Sequence, residues 1–474
     1  MNSIKVATVS GKKTAVELSQ LENLSASFRG ELLKPGDVGY DEARIIWNGM
    51  IDRRPGLIAR CTGAADVIAA VNFARENKLL TAVRGGGHNV AGKSVCDDGL
   101  VIDLSQMQSV RVDPENMLAH VEPGATLGDV DHETQAFGLA TPLGINSTTG
   151  IAGLTLGGGF GWLSRKYGMT VDNLTAADIV TADGQLLRTS RQEHPDLFWS
   201  TQGGGGNFGV VTRFEFKLHQ VGPEIYAGLV AFPLDEATSV LKKYRHYLSS
   251  LSKDTSVWVV LRNAPPLPFL PDSAHGKGML AFACFHDGDP DEGRKAIDPL
   301  RGFGHVLGEH VGVQPYLAWQ AIFDPLLTPG ARNYWKSHNF TELSDTTIET
   351  AVKYASKLPS DECEIFFAQL GEEVNRKAPE NTAYPHRDAN FVLNVHGRWQ
   401  SSSDDKKCIS WARDFYKEMA PYATGGVYVN FLTEDETERT EAAYGDNFDR
   451  LRRTKERYDP NNFFRLNQNI SPGR

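Results

Sequence analysis

The stretch CTGAADVIAAVNFARENKLL, residues 61–80, places Val67, Ile68, Val71 and Ala74 on one face at helical spacing. Thr62 stands before it as a candidate cap and Asp66 falls in the first turn, so the spacing predicts an amphipathic helix. LTAV then reads as a short strand running into three glycines; after the turn CDDG at 96–99, the apolar run GLVIDLS reads as a compact buried strand. NLTAADIV and QLLRTS flank Ala182-Asp183-Gly184, a hairpin signal. Near the end, DNFDRLRRTKERYDP is helix-like and leads through the turn DPNN into FFRLNQNI. Strands and helices interleave without a steady βαβ repeat, which predicts an α+β fold.

Glycine usage divides the chain. Of the 46 glycines, the clusters at 85–87, 150–161 and 203–209 all lie in the first 220 residues. Residues 221–436 have fewer glycine runs and more aromatics, with a Pro-rich connection, NAPPLPFLPD, at 263–272. A chain of 474 residues exceeds the size of a single core, and the texture suggests domains at 1–220 and 221–436 with a tail at 437–474.

Bulk properties narrow the function classes. The net charge of −10 and the lack of a basic stripe argue against nucleic acid as a partner. No apolar run is long enough to span a membrane, and the N-terminus MNSIKVATVSGKKTAVELSQL lacks the apolar core of a secretory signal, so a cytoplasmic location is expected. Cys61, Cys96, Cys284, Cys363 and Cys408 are scattered with no CxxC pair, which fits reduced buried thiols rather than disulfides, and no metal site is expected.

Gly87 to Ser94 matches G-x-x-x-x-G-K-[ST], the phosphate loop of nucleotide triphosphatases. That loop works by opening a helix whose N-terminal amides face the phosphates. Here only Val95 and Cys96 separate Ser94 from Asp97-Asp98-Gly99 and a strand, so there is no room for the helix. Lys93 and Ser94 then read as incidental. Three successive glycines still allow the close backbone approach that suits a pyrophosphate. TTGIAGLTLGGGFGWLSRKYG and FWSTQGGGGNFGVVTRFEF add two more glycine-rich segments, and three in one domain suggest a large ligand held mostly by main chain.

AVRGGGHNVAG, TTGIAGLTLGGGFGWLSRKYG, DLFWSTQGGGGNFGVVT, YPHRDANFVLNVHGRW, VYVNF and DPNNFFRLNQNI run in order from about residue 40 to the C-terminus. Together they resemble the berberine-bridge-enzyme-like branch of the vanillyl-alcohol-oxidase flavoproteins. The resemblance implies a PCMH-type FAD-binding domain of two α+β subdomains over 1–220. It also implies a substrate-binding domain with a large antiparallel sheet flanked by helices over 221–436, and a tail, 437–474, that returns to the FAD-binding domain.

By the same resemblance His88 carries FAD through an 8α-histidyl bond, with Arg84, Gly85, Gly86, Gly87 and Asn89 along the pyrophosphate. Gly150, Gly153, Gly157 and Gly158 line the flavin, the 203–209 run helps enclose it, and Asn467 and Asn469 approach from the tail. Asn146 stands where some members carry a second, cysteinyl link, so a single covalent bond is expected. Thr149 falls at the position that gates oxygen, and its small side chain favours an oxidase. Tyr428 of Tyr428-Val429-Asn430 takes the place of the family's base, with strand alternation expected to put Tyr428 and Asn430 on one face. Phe160 stands where a second tyrosine occurs in plant members. Asn394, His396 and Gln369 are further pocket candidates, and Trp258, Phe269, Trp319, Phe323 and Tyr334 candidate roof residues.

The implied reaction is hydride transfer from a C–H bond of a small alcohol- or amine-type substrate, such as a sugar, alkaloid or aromatic, to flavin N5, with O2 reduced to hydrogen peroxide. A dehydrogenase using another acceptor and a non-enzymatic flavin- or metabolite-binding protein remain open, as does the oligomeric state.

Overall fold

A computed structural model of the protein describes residues 3–473. Strands Glu31–Leu33 (β1), Leu57–Arg60 (β2), Thr81–Arg84 (β3) and Leu100–Asp103 (β4) form a sheet in the order β1-β2-β4-β3, with β2 and β3 parallel to β4. Helix α1, Ala64–Glu76, lays Val67, Ala70, Val71 and Ala74 against Leu57, Ala59, Leu100 and Ile102 of this sheet. Its N-cap is Gly63 rather than Thr62. Asp66 reaches back instead and accepts the Thr62 N–H and hydroxyl, both at 2.9 Å, so the first turn is tied through the acid.

Val110–Asp113 (β5), Leu118–Val121 (β6), Leu174–Val180 (β7), Leu186–Ser190 (β8) and Val210–Lys217 (β9) make a second, antiparallel sheet in the order β8-β7-β9-β6-β5. The β7–β8 pair is the hairpin that turns at 182–184.

The largest sheet follows. Glu224–Pro233 (β10), Thr255–Asn263 (β11), Gly278–His286 (β12), Gly308–Pro315 (β13), Arg332–Phe340 (β14), Glu364–Gln369 (β15) and Phe391–Trp399 (β16) pair antiparallel in the order β13-β10-β12-β11-β15-β16-β14. The Pro-rich stretch is the β11–β12 loop. Alternation splits the side chains between two environments. Val257, Val259, Ile365, Phe367, Leu393 and Val395 pack under helices Ala237–Tyr247 (α2), Asp345–Ala355 (α3) and Asp405–Met419 (α4). The alternate positions face the first two sheets and enclose a cavity between the halves.

Helix Phe448–Tyr458 (α5) carries the chain back to the first half. There Lys455, fully buried, ion-pairs with buried Asp459 at 2.6 Å and donates to the carbonyls of Asn207 at 2.7 Å and Phe464 at 2.9 Å. The tail is thereby pinned to the third glycine cluster. All five cysteines are buried and unpaired. Among the described residues, no helix is long and apolar enough to cross a membrane.

Candidate functional site

The cavity occupies about 360 Å³, within the usual range for small-molecule sites. Its first wall is mostly backbone. β3 points Thr81 and Val83 into the cavity and leads into Gly85, Gly86, Gly87, His88 and Asn89, all of which line it. Arg84 does not, because it has the opposite strand parity: its guanidinium donates to the Ala43 carbonyl and lies 3.9 Å from buried Asp103.

The second glycine segment meets the first at van der Waals limits. A Cβ on Gly86 would lie 2.5 Å from the Gly150 Cα, and one on Gly150 would lie 2.4 Å from the Gly86 nitrogen. Only glycine at both positions permits the approach. Thr149, Gly150, Gly153 and Gly157 line the cavity, whereas Gly158 turns away toward Met169 and Tyr384. Of the third cluster, Gly205, Gly206 and Gly209 line it. From the tail Asn467 lines the cavity and donates to the Gly206 carbonyl at 3.1 Å. Asn469 does not line the cavity and donates to the Ser471 hydroxyl, leaving the neighbouring position at the wall to Gln468. Lys93 and Ser94, incidental in the sequence reading, also border the cavity.

His88 sits at the centre of this wall. It stacks on Trp47 with centroids 4.9 Å apart and 22° between planes, and its Nε2 lies 3.0 Å from the Thr148 hydroxyl. Burial deep in the molecule pushes its pKa down to about 4, so the ring is neutral at physiological pH. A neutral imidazole retains a lone pair.

The opposite wall is built on the large sheet. Trp258, Val260 and Arg262 of β11, Glu364 and Phe366 of β15, Asn394 and His396 of β16, and Trp335 of β14 line the cavity. Gln369 has the wrong parity for it. It shares the helix-covered face with Ile365 and Phe367, where its Oε1 accepts the Val257 N–H at 2.9 Å. Among the aromatic candidates Trp258 and Phe323 line the cavity, while Phe269, Trp319 and Tyr334 do not. Trp335, next to Tyr334, takes the inward position. Sequence reasoning passed over Trp47, Arg262, Glu364 and Trp335; for Glu364 the available signal was its two-residue spacing from Phe366, with Ile365 to Ala368 all apolar.

The polar groups of this wall differ in what they are free to do. Glu364 accepts from Arg262 at 2.7 Å and faces His396 Nδ1 at 3.2 Å. Burial pushes its carboxyl up, but Arg262 and His396 outweigh that and hold it at about 2, so it stays ionised. His396 Nε2 faces Asn333 Oδ1 at 3.3 Å, so both ring nitrogens are turned to oxygens of the protein, and burial lowers the pKa of the ring. His396 is a strut within the charged cluster. Asn394 is 1% exposed and neither end of its amide has a partner. Such an orphan costs about 1–3 kcal/mol unless a ligand satisfies it.

Tyr428 precedes a 3₁₀ turn, Val429–Phe431, and is not in a strand. Alternation thus fails as the reason for pairing it with Asn430, yet the tight turn brings the two side chains together, with Asn430 Nδ2 donating to the phenol oxygen at 3.0 Å. The Gly159 N–H donates to the same oxygen at 3.0 Å. Phe160 packs edge-on to the Tyr428 ring at 4.8 Å.

Residues 55–190 match the FAD binding domain family, and residues 427–471 match the family described as berberine and berberine like. Over 94% of its length the chain is 32% identical to an FAD-linked oxidoreductase of Dictyostelium discoideum, of which it spans 95%. The chain belongs to the berberine-bridge-enzyme-like FAD-linked oxidoreductases. It is also 31% identical to (R)-6-hydroxynicotine oxidase of Paenarthrobacter nicotinovorans, across 94% of this chain and 97% of that one. The crystal structure of 6-hydroxy-D-nicotine oxidase from Arthrobacter nicotinovorans has the same fold, with a TM-score of 0.85 at 29% identity, covering 94% of this chain and 99% of that one.

FAD is accordingly the cofactor of this oxidoreductase, and the first wall fits it. The glycine contacts leave a surface free of side chains for a planar ring and a pyrophosphate. Ser94 Oγ, Asn467 Oδ1 and Gln468 Oε1, all on residues lining the cavity, are buried without partners and await a polar ligand.

Proposed function

We propose that the protein is an oxidase whose FAD is held by one covalent bond, through His88, and which oxidises a C–H bond next to a hydroxyl or amine on a small substrate. One observation carries this reading: the backbone-rich wall bearing His88 and the polar wall bearing Tyr428 and Asn394 face a single cavity. Bound FAD supplies a two-electron acceptor at N5, and dioxygen removes the electrons as hydrogen peroxide.

Tyr428 takes the proton of the substrate's O–H or N–H as the hydride leaves the adjacent carbon. Its oxygen already receives two donors, from Gly159 and Asn430, which favour the phenolate form that acts as the base. As the phenolate it keeps a lone pair for the substrate's proton. The orphaned Asn394 amide holds a polar substituent, and Trp258, Trp335, Phe160 and Phe323 exclude water around an apolar body. The combination favours a flat alcohol or amine such as a hydroxylated N-heterocycle; relatives named for nicotine, tetrahydroberberine and xylooligosaccharide oxidation bracket the range. Thr149, small and at the cavity wall, leaves room for dioxygen.

His88 would hold the flavin through a C–N bond from its imidazole to the 8α carbon, with dioxygen as the acceptor of the two electrons and two protons that the attachment would release. Asn146 supplies no thiol for a second link.

Acid precipitation of the loaded protein tests the attachment: the yellow colour is expected in the pellet, and in the supernatant for His88→Ala. Anaerobic mixing with an alcohol and amine panel, followed by air, tests the oxidase reading. One substrate should bleach the flavin, and air should restore it with stoichiometric peroxide; recovery only with an artificial acceptor would mean a dehydrogenase.

A further inference from the structure

Asn146, Thr148 and His88 form a hydrogen-bonded chain whose proton positions follow from its heavy atoms. Asn146 Oδ1 accepts the Thr148 backbone N–H at 3.0 Å, which fixes the amide so that its oxygen faces Thr148. Thr148 Oγ1 lies 2.7 Å from that same oxygen. Two oxygens at this distance need a hydrogen between them, and only the hydroxyl has one. Its proton is therefore committed to Asn146, leaving the Thr148 oxygen as an acceptor toward His88 Nε2 at 3.0 Å. Nε2 must carry the N–H. Because burial keeps the ring neutral, Nδ1 is left as the bare lone pair.

The chain is held from both ends. Between Asn146 and Thr148, the Ser147 N–H donates to Asp324 Oδ1 at 2.9 Å and its hydroxyl donates to the other carboxylate oxygen, tying the loop to the substrate half. The Gly128 N–H reaches the Ser147 carbonyl, and the Leu127 N–H the Thr149 carbonyl, each at 2.9 Å. On the other side, Trp47 is fixed by its Nε1 donating to the Leu327 carbonyl at 3.0 Å and by the Arg398 guanidinium 5.5 Å from its ring. The stacked imidazole is held against rotation.

We propose that Asn146 and Thr148 are positioning residues that lock His88 in the Nε2–H tautomer before the flavin is attached. The inference rests on the covalent reading for its consequence, but the tautomer itself is a property of the chain alone. Neither residue touches the reacting atoms; they act through the imidazole.

Two measurements test it. In ¹⁵N-histidine-labelled, flavin-free full-length protein, long-range ¹H–¹⁵N spectra should show His88 as Nε2–H. A Nδ1–H pattern overturns the proposal, whether or not covalent flavin forms. Should the loaded protein carry no covalent flavin, the covalent reading falls while this spectrum still decides the tautomer. Thr148→Val should mix the tautomers and slow covalent incorporation by about tenfold or more, with Thr148→Ser restoring both. Unchanged tautomer and rate in a folded Thr148→Val protein would overturn the role of Thr148.

Discussion

Asn430 Nδ2 lies 3.0 Å from the phenol oxygen of Tyr428 and donates to it, while the turn between them keeps the two side chains on the same side of the cavity. Burial pushes the phenol up to about 12, and the donors from Asn430 and Gly159 offset only part of that. The base form is therefore scarce at neutral pH and grows as pH rises. kcat/KM is expected to climb with pH from 6 toward 9 without a plateau. Tyr428→Phe should lower kcat by ~10²–10⁴-fold while leaving the bound-flavin spectrum intact, and a kcat within a factor of three of wild type would remove Tyr428 from the mechanism.

Glu364 carries the acid sensitivity of the substrate wall. Its carboxyl sits at about 2 in the folded protein against an ordinary value of 4.5. The stability it contributes is thus full above pH 4.5 and lost as pH falls toward 2. Glu364→Gln should have a lower Tm than wild type at pH 7, because Arg262 loses its buried partner, and the gap should close as the pH is lowered. Parallel Tm curves over that window would contradict the assignment.

The Lys455–Asp459 pair joins the tail to the third glycine cluster. Lys455→Met leaves a carboxylate in a site with no solvent and should cost about 3–5 kcal/mol in urea unfolding. Because Lys455 also holds the Asn207 and Phe464 carbonyls, flavin content after purification should fall as well. Wild-type stability in this variant would show that the pair is not what fastens the tail.

Gly86→Ala tests the loop contact without touching any polar group. Its Cβ would fall 2.5 Å from the Gly150 backbone, where no flexible side chain can yield. Separation of the two loops should cost about 1–3 kcal/mol and reduce FAD incorporation, measured by the ratio of flavin to protein absorbance. Full flavin loading would argue that the two loops need not touch.

The glycine clusters, a local signal, pointed to a large ligand held by main chain, and the family resemblance they carry implies which residues form the FAD wall. The family resemblance implies Gly85 to Asn89, Gly150, Gly153 and Gly157, and each lines the cavity. The failures are equally instructive. Arg84 and Gln369 lie in strands whose alternation was readable but whose inward parity was not. β16 shows why: all nine of its residues are buried, one set under helices and the other under the cavity, so hydrophobicity does not distinguish the two faces. Asn469 and Gly158 were misplaced by a single position, at a tail bend and a glycine turn where periodicity offers no guide.

By itself, the sequence determined the α+β class and the family, and with the family its FAD cofactor, since these rest on short motifs that survive without any partner. Only the tertiary structure decided that Glu364 and Arg262 join the pocket, that Trp335 rather than Tyr334 faces inward, and that Asn146 reaches His88 through Thr148. Those relationships join residues from tens to hundreds of positions apart, and a strand's two faces acquire different meanings only when a helix layer covers one and a second half of the molecule closes over the other.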